Sequence, residues 1–298
     1  MSAYRSVFRP GLFSGQCVIV TGGGSGIGRC TAHELAQLGA TVALIGRTRE
    51  KLENVRTEIA AAGGRASVHA CDIRDESVVR GAVAAILEAH GRIDGLVNNA
   101  GGQFPARIRD LSTKGWEAVV RNNLTGGFIF SRECYTQWME GHGGAIVNII
   151  ADIWGGMPTM AHTGAARAGM LNFTESAACE WAQSGVRVNC VAPGWVASSG
   201  FDTYSPEMQA DLRGLKAKVP LQRFGTEAEV SAAIVFLLSE AAAFVTGSCI
   251  RVDGGVPNAR PTWKLAPHAN SRPFEGFHLA QPPKCLSESA DFPAKRGT

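Results

Sequence analysis

A glycine-rich turn near the N-terminus has the residue types and spacing that bind a phosphate. The segment Thr21-Gly22-Gly23-Gly24-Ser25-Gly26-Ile27-Gly28 follows the apolar run 17–20 and precedes residues 29–38, whose apolar positions have helical spacing. Glycines let the backbone turn tightly and approach a pyrophosphate, whose charge then lies against the free amides at the start of the helix. A second apolar run, 41–45, follows where a dinucleotide fold requires it. The pattern predicts nucleotide binding, and a merely structural glycine turn is the alternative.

A second group of polar residues, between positions 152 and 167, could handle protons and charge. Arg167 offers a fork of donors, but a guanidinium keeps its proton in proteins and cannot be the acid. Thr163 can donate a hydrogen bond, although its alcohol is a far weaker acid than an activated phenol. Asp152 and His162 are therefore the candidate proton donors. A helix-capping or surface Asp152 and a packed or solvated His162 are the alternatives.

These side chains need a scaffold, and the apolar pattern of the chain predicts one. Helical spacing predicts helices between most of the apolar runs, the longest at 114–139 and 163–183, with Gly126-Gly127 expected to weaken or bend the first. Strand and helix alternate throughout, which predicts an α/β fold with a mostly parallel sheet and helices on both faces. The expected strands are 17–20, 41–45, 66–70, 95–98, 145–150, 185–191 and 247–252.

The organisation of the chain predicts one domain and a tail. No linker interrupts residues 1–256, which we expect to form a single dinucleotide-binding domain. Residues 197–223 are polar and irregular, which is the composition of a mobile substrate flap. Residues 257–298 hold seven of the thirteen prolines and have no clear periodicity, so we expect an extended or disordered tail there.

Composition excludes several classes of protein. A formal net charge of +3 without a basic run argues against a nucleic-acid partner. Eight cysteines form no CxxC pair and no zinc spacing, which predicts buried thiols in a reducing compartment and no metal site. The N-terminus lacks the apolar stretch of a signal peptide, and no run of eighteen apolar residues occurs. We therefore expect a cytoplasmic protein without a membrane partner.

Five short motifs occur together and in a fixed order: Thr21-Gly22-x-x-x-Gly26-Ile27-Gly28, Asn98-Asn99-Ala100-Gly101, Asn122-Asn123-Leu124, Pro193-Gly194 and Asp253-Gly254-Gly255. With them, the chain resembles the short-chain dehydrogenase/reductase family over roughly residues 12 to 256. The resemblance implies a three-layer Rossmann fold with a seven-stranded sheet, a nicotinamide cofactor, and a homotetramer formed through the two long helices.

The resemblance also implies which residues meet the cofactor. Asp72 and Ile73 should meet the adenine, Asn99 to Gly101 the adenosine ribose side, and Pro193 to Val196 the nicotinamide, whose ribose Arg167 should hold. The expected cofactor residues are Gly22, Gly24, Ser25, Gly26, Ile27, Gly28, Arg47, Thr48, Asp72, Ile73, Asn99, Ala100, Gly101, Arg167, Pro193, Gly194 and Val196.

The end of the second strand bears on the choice of cofactor. An NAD-selective site of this fold places a carboxylate there to bind the ribose 2′-hydroxyl. This chain has Gly46 followed by Arg47, so a 2′-phosphate would meet space and a fixed positive fork. We expect NADP(H) to be preferred and NAD(H) to remain possible. A solvated Arg47 at a strand end is the alternative.

The catalytic motif of most family members is missing. The family usually carries Tyr-x-x-x-Lys, in which the lysine lowers the pKa of the tyrosine so that it can exchange a proton with the substrate oxygen. Aligning Ala165-Ala166-Arg167-Ala168 with the family's Ala-Ser-Lys-Ala puts Thr163 at the tyrosine position and Arg167 at the lysine position. Interconversion of a simple alcohol and ketone is therefore hard to support.

Reduction of a double bond conjugated to a thioester makes a milder demand. Hydride adds to Cβ, and hydrogen-bond donors stabilise the negative charge that collects on the carbonyl oxygen. Segments 143–150 and 162–169, with 10–12 and 101–104, are similar to the peroxisomal trans-2-enoyl-CoA reductases and to the 2,4-dienoyl-CoA reductase branch. That resemblance implies an acyl-CoA substrate.

Three functions remain open from the sequence. The first is an NADPH-dependent reductase of 2-enoyl-CoA or dienoyl-CoA thioesters, with Asn123, Asp152, His162, Thr163 and Arg167 as its catalytic residues. Within it, Asn123 is implied by the resemblance to order a water chain near Arg167, and a structural asparagine that bonds the helix backbone is the alternative. The second is a citronellol-type alcohol or aldehyde dehydrogenase of acyclic terpenoids. The third is a non-catalytic nucleotide-binding protein.

Overall fold

The computed structural model describes residues 3–203, 205–259, 262 and 264–286. Its centre is one sheet of seven strands in the order β3-β2-β1-β4-β5-β6-β7, and every neighbouring pair is parallel. This confirms the predicted α/β fold with a three-layer Rossmann architecture. The strands are β1 (Cys17–Thr21), β2 (Thr41–Gly46), β3 (Arg65–Ala70), β4 (Gly95–Asn98), β5 (Gly144–Ile149), β6 (Val186–Pro193) and β7 (Cys249–Val252).

Helices cover both faces of the sheet because strand side chains alternate between the faces. Val18 and Val20 lie in one buried core with residues of the first, second and last helices, whereas Ile19 lies in the other core with residues of the third and fifth. The helices of the described residues are α1 (Gly26–Gln37), α2 (Arg49–Ala61), α3 (Glu76–His90), α4 (Thr113–Val120), α5 (Gly126–Cys134), α6 (Glu140–His142), α7 (Ala161–Glu180), α8 (Pro206–Leu215) and α9 (Glu227–Leu238).

The long helical stretch predicted at 114–139 is present, and two π-helical turns divide it. They span Arg121–Thr125 and Tyr135–Met139, and so separate α4, α5 and α6. The glycine pair that follows the first π turn permits close packing. A Cβ at Gly126 would lie 2.6 Å from Ile73 Cδ1, and one at Gly127 would lie 2.6 Å from Met170 Cε. The pair therefore lets α5 approach both neighbours.

The expectation that residues 197–223 are irregular is wrong. This segment, called the flap here, contains the whole of α8 and two short 3-10 helices. Ser205 caps α8 by accepting a hydrogen bond from the Met208 amide at 3.4 Å, and Pro206 follows in the first turn. Leu212 is fully buried with Phe201 and Phe224. The Ser205 cap and the buried Leu212 thus stabilise a helix that the polar composition of the segment does not predict.

Described residues near each end of the sequence, Tyr4 and Phe277, pack against α1 and α9. The proline-rich residues 264–286 are extended apart from a 3-10 turn at Lys284–Leu286, and they bury Phe277 and Leu286 to 3% and 2% exposure. Tyr4, near the N-terminus, packs against Phe277 with ring centroids 5.9 Å apart. No described helix is long and apolar enough to cross a membrane.

Candidate active site

The glycine turn after β1 is fitted closely to the turn after β4. Gly22 has φ of +68°, and a Cβ there would lie 2.8 Å from Asn99 Nδ2, while a Cβ at Gly28 would lie 2.5 Å from the same atom. Thr21 Oγ1 accepts from the amides of Asn99 and Ala100 at 3.0 and 2.9 Å. Side chains at either glycine would separate the two turns. The glycines are therefore required by close approach and by backbone conformation.

The start of α1 offers donors to an anion. Ser25 is the residue before the helix, and the described structure gives it no side-chain capping bond. The first turn of α1, which holds Gly26, Ile27 and Gly28, carries no acidic residue among those described. The amides of this turn and the positive end of the helix dipole favour an anion, which is the arrangement that binds a phosphate. The nearest described carboxyl is that of buried Glu227, whose Oε1 lies 3.9 Å from the position of a Cβ on Gly26.

A cleft opens beside this turn at the carboxyl ends of β1 to β4. Nine of the expected cofactor residues line it: Gly22, Gly24, Ser25, Arg47, Thr48, Asp72, Ile73, Ala100 and Gly101. Its other lining residues are Gly46, which the sequence places at the end of the second strand beside Arg47, and Lys51, Leu52, Cys71 and Asn122, which sequence reasoning did not place in the site. Gly26, Ile27, Gly28 and Asn99 lie behind the lining, in the turns just described, and Arg167, Pro193, Gly194 and Val196 lie outside it.

Two cations, Arg47 and Lys51, line the cleft after β2, and the carboxylate beside them is paired with another arginine. Arg47 and Lys51 are both exposed, and Lys51 lies against the glycine turn, its Cβ 3.1 Å from the position of a Cβ on Gly24. Asp72 is held by Arg74, which donates to it at 2.6 and 2.9 Å. These bonds lower the pKa of Asp72 to about 2. Asp72 is thus an ionised carboxylate already neutralised by Arg74.

A second polar region lies at the ends of β4 and β5. Arg167 on α7 donates from Nη1 to the Ile149 carbonyl at 2.6 Å. A Cβ at Gly101 would lie 2.5 Å from Arg167 Nη2 and 2.6 Å from Asn123 Oδ1. The structure therefore brings three expected site residues, Gly101, Asn123 and Arg167, into direct proximity.

Asn123 is buried and bonded to backbone. Its Nδ2 donates to the carbonyls of Gly102 at 2.7 Å and Val119 at 3.1 Å, and its Oδ1 accepts from the Gly102 amide at 3.2 Å. These bonds join the first π turn to the loop after β4. They match the structural alternative left open by the sequence, and they fix the loop that approaches Arg167.

Arg167 carries a half-buried charge. Its Nε has no hydrogen-bond partner in the described part of the chain, and burial lowers its pKa to about 10. A guanidinium with that pKa is still protonated at neutral pH. Arg167 can therefore donate hydrogen bonds and supply positive charge, but it cannot act as the acid.

The three candidate proton-handling residues each contain an atom that lacks a hydrogen-bond partner among the residues described. His162 is fully buried; its Nδ1 accepts from the Thr163 amide at 2.9 Å, its Nε2 is unpartnered, and its ring meets Phe104 edge-on at 4.7 Å. Thr163 Oγ1 and Asp152 Oδ1 are likewise buried and unpartnered. Buried polar atoms in this state indicate a place for water or ligand. The fully buried His162 excludes the solvated alternative.

Asp152 has a carboxylate neighbour that sequence reasoning left out of the site. Burial and the charge of Asp253 raise the pKa of Asp152. Asp253 accepts from the Gly255 amide at 2.8 Å and lies 3.6 Å from Arg251 Nε, while its Oδ2 is buried without a hydrogen-bond partner in the described chain. The Asp253-Gly254-Gly255 motif could have signalled this role, because it places a carboxylate at the end of β7.

Pro193 and Gly194 connect the end of β6 to the Asp253 motif. Pro193 pairs with Val252, and a Cβ on Gly194 would lie 2.7 Å from Asp253 Cα. Val196 then pairs with Gly225 and closes the base of the flap. Pro193 and Gly194 therefore adjoin Asp253, the carboxylate neighbour of Asp152, and neither they nor Val196 line the cleft at the ends of β1 to β4.

Two of the three tyrosines are bonded elsewhere. Tyr4 donates to Glu34 at 3.0 Å beneath the N-terminus, and Tyr135 lies 2.9 Å from Ser184 Oγ while stacking on Trp181. Tyr204 lies outside the described residues. The described residues also contain no cluster of three or more His, Cys, Asp or Glu side chains that could hold a metal ion.

Comparisons with known proteins agree with this architecture. Residues 22–257 match the family described as Enoyl-(Acyl carrier protein) reductase. A probable 2,4-dienoyl-CoA reductase of Bacillus subtilis is 36% identical over 80% of this chain and 96% of its own length. A peroxisomal 2,4-dienoyl-CoA reductase of Danio rerio is 37% identical over 86% of each chain. The solved citronellol catabolism dehydrogenase AtuB of Pseudomonas aeruginosa PAO1 is 57% identical, with a TM-score of 0.78 over 85% of this chain and all of its own.

Proposed function

The chain belongs to the short-chain dehydrogenase/reductase family of oxidoreductases, and from this premise we propose that it reduces the C=C bond of 2-enoyl-CoA or dienoyl-CoA thioesters with NADPH. One observation carries the proposal. Buried Thr163 and half-buried Arg167 align with the family's tyrosine and lysine when residues 165–168 are matched to its Ala-Ser-Lys-Ala, and both described tyrosines are bonded elsewhere. Similarity to the two dienoyl-CoA reductases supports the same substrate class.

The residues present fit a nicotinamide dinucleotide. Glycine at positions 22 and 28 lets the turn after β1 pack against the turn after β4, and the amides at the start of α1 are free to bind a pyrophosphate. Family members bind NAD or NADP, and a bound NADPH would supply a hydride. We assign Arg47, assisted by Lys51, to the 2′-phosphate, because both line the cleft and Arg74 already neutralises Asp72. NADP(H) is thus preferred, and NAD(H) remains usable.

The proposed chemistry divides between charge stabilisation and proton transfer. Arg167 holds the nicotinamide ribose and adds positive charge beside the thioester. Thr163 donates a hydrogen bond to the thioester oxygen as negative charge collects there. Asp152 delivers a proton toward Cα, since burial and Asp253 favour its protonated form. His162 bonds the Thr163 amide and keeps that residue in position, or donates through its unpartnered nitrogen.

A second candidate is an alcohol or aldehyde dehydrogenase of acyclic terpenoids. It is favoured by the 57% identity to a solved protein named a citronellol catabolism dehydrogenase. It would require a group other than a tyrosine–lysine pair to take the alcohol proton, and Asp152 is the side chain best situated to do so. In either case we propose a cytoplasmic homotetramer, assembled through the α4–α6 and α7 helices, without a nucleic-acid or membrane partner.

The test is a comparison of substrates on one purified sample. NADPH absorbance should fall with trans-2-enoyl-CoA or 2,4-dienoyl-CoA thioesters of several chain lengths, and NADP⁺ should stay oxidised with citronellol. Turnover of citronellol alone would select the second candidate. Cofactor binding without turnover of either class would indicate a non-catalytic nucleotide-binding protein.

A further inference from the structure

The proline-rich segment 264–286, called the strap here, crosses the flap and is attached at both ends of it. At the far end, the Lys284 amide donates to Asp202 Oδ1 at 2.8 Å. Leu286, only 2% exposed, completes the apolar cluster of Phe201, Leu212 and Phe224. Leu286 therefore packs in the cluster that contains Leu212, the buried anchor of α8.

The middle of the strap contacts the last residues of the flap, 216–223, which are called its return arm here. Arg223, the last flap residue, forms a fork with Glu229 at 2.7 and 2.8 Å and donates from Nε to Ser271 Oγ at 2.9 Å. Glu229 also accepts from the Phe274 amide at 3.2 Å. His268 Nε2 lies 3.0 Å from the Pro220 carbonyl. One ion pair therefore joins the flap, α9 and the strap.

The strap is fixed to the body of the protein between these points. Phe277 is buried with Tyr4, Cys30 and Ala228, and the Arg29 guanidinium lies 5.0 Å from its ring centroid. Arg29 also donates to the Leu279 carbonyl at 3.4 Å. Because Arg29 and Cys30 belong to α1, the strap connects the flap to the helix that begins at the glycine turn.

The flap itself has a narrow base beside the candidate site. The Ala197 amide donates to the Gly225 carbonyl and the Gly225 amide donates to the Trp195 carbonyl, both at 2.9 Å. Its return arm touches the Asp253 motif, since a Cβ on Gly254 would lie 2.6 Å from Val219 Cγ1. Contacts at the base fix only where the flap starts and ends. The position of α8 depends on the apolar cluster that Leu286 completes.

We propose that the strap holds the flap in place over the end of β6, and that Leu286 is the positioning residue through which it does so. The family match ends at residue 257, so the strap lies outside the part of the chain that the family model covers. Its consequence for substrate binding rests on the proposed function, whereas its effect on flap motion does not. Loss of Leu286 should release α8 and weaken substrate binding while leaving the phosphate turn intact.

Two variants and a control test this on the full chain. Leu286→Ala removes the apolar contact, Leu286→Met retains it, and Val7→Ala alters an exposed side chain at the other end of the chain. In Leu286→Ala we expect trypsin to cleave after Lys218 about tenfold faster, because local opening of α8 becomes cheaper. Cleavage after Lys51 and the Kd for NADPH should stay unchanged, and the KM for the thioester should rise more than kcat falls. Leu286→Met and Val7→Ala should behave like the wild type.

Unchanged cleavage after Lys218 would overturn the proposal, and so would equal acceleration at Lys218 and Lys51, which would mean general destabilisation. If Leu286→Ala does not fold, Asp202→Ala removes the bond to the Lys284 amide and should give the same selective release. Selective release of the flap in a protein that reduces no thioester would support the strap and refute the proposed function. The two proposals can therefore fail separately.

Discussion

Arg167 lies so close to Gly101 that a single added methyl group would displace it. A Cβ on Gly101 would stand 2.5 Å from Arg167 Nη2 and 2.6 Å from Asn123 Oδ1, both shorter than van der Waals contact. The position of the Arg167 guanidinium at the ends of β4 and β5 therefore requires that residue 101 has no side chain. Glycine is required at position 101 by close approach, since the structure gives no left-handed backbone there.

Gly101→Ala should therefore move the guanidinium and lower kcat/KM for the thioester by about a hundredfold, as expected when a charged donor is displaced by an ångström. Gly81→Ala is the matched control, because an added Cβ in α3 meets nothing within 4 Å. That control should keep full activity and gain up to about 1 kcal/mol of stability. Wild-type kinetics for Gly101→Ala would show that the position of Arg167 is unimportant.

Arg47→Ala should raise the KM for NADPH about tenfold or more and leave the KM for NADH nearly unchanged, because a charged hydrogen bond to the 2′-phosphate is lost. Arg49→Ala is the control, since Arg49 is exposed and pairs with Glu53 but does not line the cleft. Steady-state kinetics with both cofactors checks this. An equal loss with NADPH and NADH would mean that Arg47 does not meet the 2′-phosphate.

The proton donor should appear in the pH profile of kcat. Burial and the charge of Asp253 raise the pKa of Asp152 above that of an ordinary aspartate. Because the protonated form is the donor, kcat should fall as pH rises through that pKa, which gives the profile a descending basic limb. Asp253→Asn removes the negative neighbour and should move this limb to lower pH. Asp152→Asn should abolish it together with most of the activity, whereas exposed Asp110→Asn should change nothing. A limb that is the same in Asp253→Asn would exclude Asp152 as the donor.

Glu227 should make the protein less stable as pH rises. Burial raises its pKa from 4.5 to about 7, although the charge of Arg29 opposes this. Below pH 4.5 the carboxyl is neutral in both states, and between that pH and 7 only the unfolded chain ionises, so stability is lost across this window. Denaturant unfolding of wild type and Glu227→Gln should therefore diverge by about 3 kcal/mol between pH 5 and pH 8. Parallel curves, like those expected for exposed Glu240→Gln, would contradict this.

Local patterns in the sequence are sufficient to predict the parallel sheet and the glycine turn. Val18, Ile19 and Val20 alternate between the two cores because successive side chains of a strand point to opposite faces of the sheet. The sequence does not predict α8, because its residues are mostly polar and its apolar anchor, Leu212, is buried only by contact with Phe201, Phe224 and the distant Leu286.

Lys51 and Asp253 could not be predicted as site residues for a similar reason. Lys51 resembles any charged residue in the first turn of a surface helix until the fold places it beside the glycine turn. Asp253 becomes a neighbour of Asp152 only through the order of β5, β6 and β7 in the sheet. Such relationships between distant segments are set by topology, and no local pattern contains them.

The most direct test of the central claim follows the hydride itself. The purified protein is given NADPH deuterated at the transferable C4 position together with a trans-2-enoyl-CoA, and the acyl product is analysed by mass spectrometry and NMR. We predict a saturated thioester with one deuterium at Cβ and a solvent proton at Cα. An unreduced C=C bond, in a sample that oxidises citronellol with NADP⁺, would contradict the account.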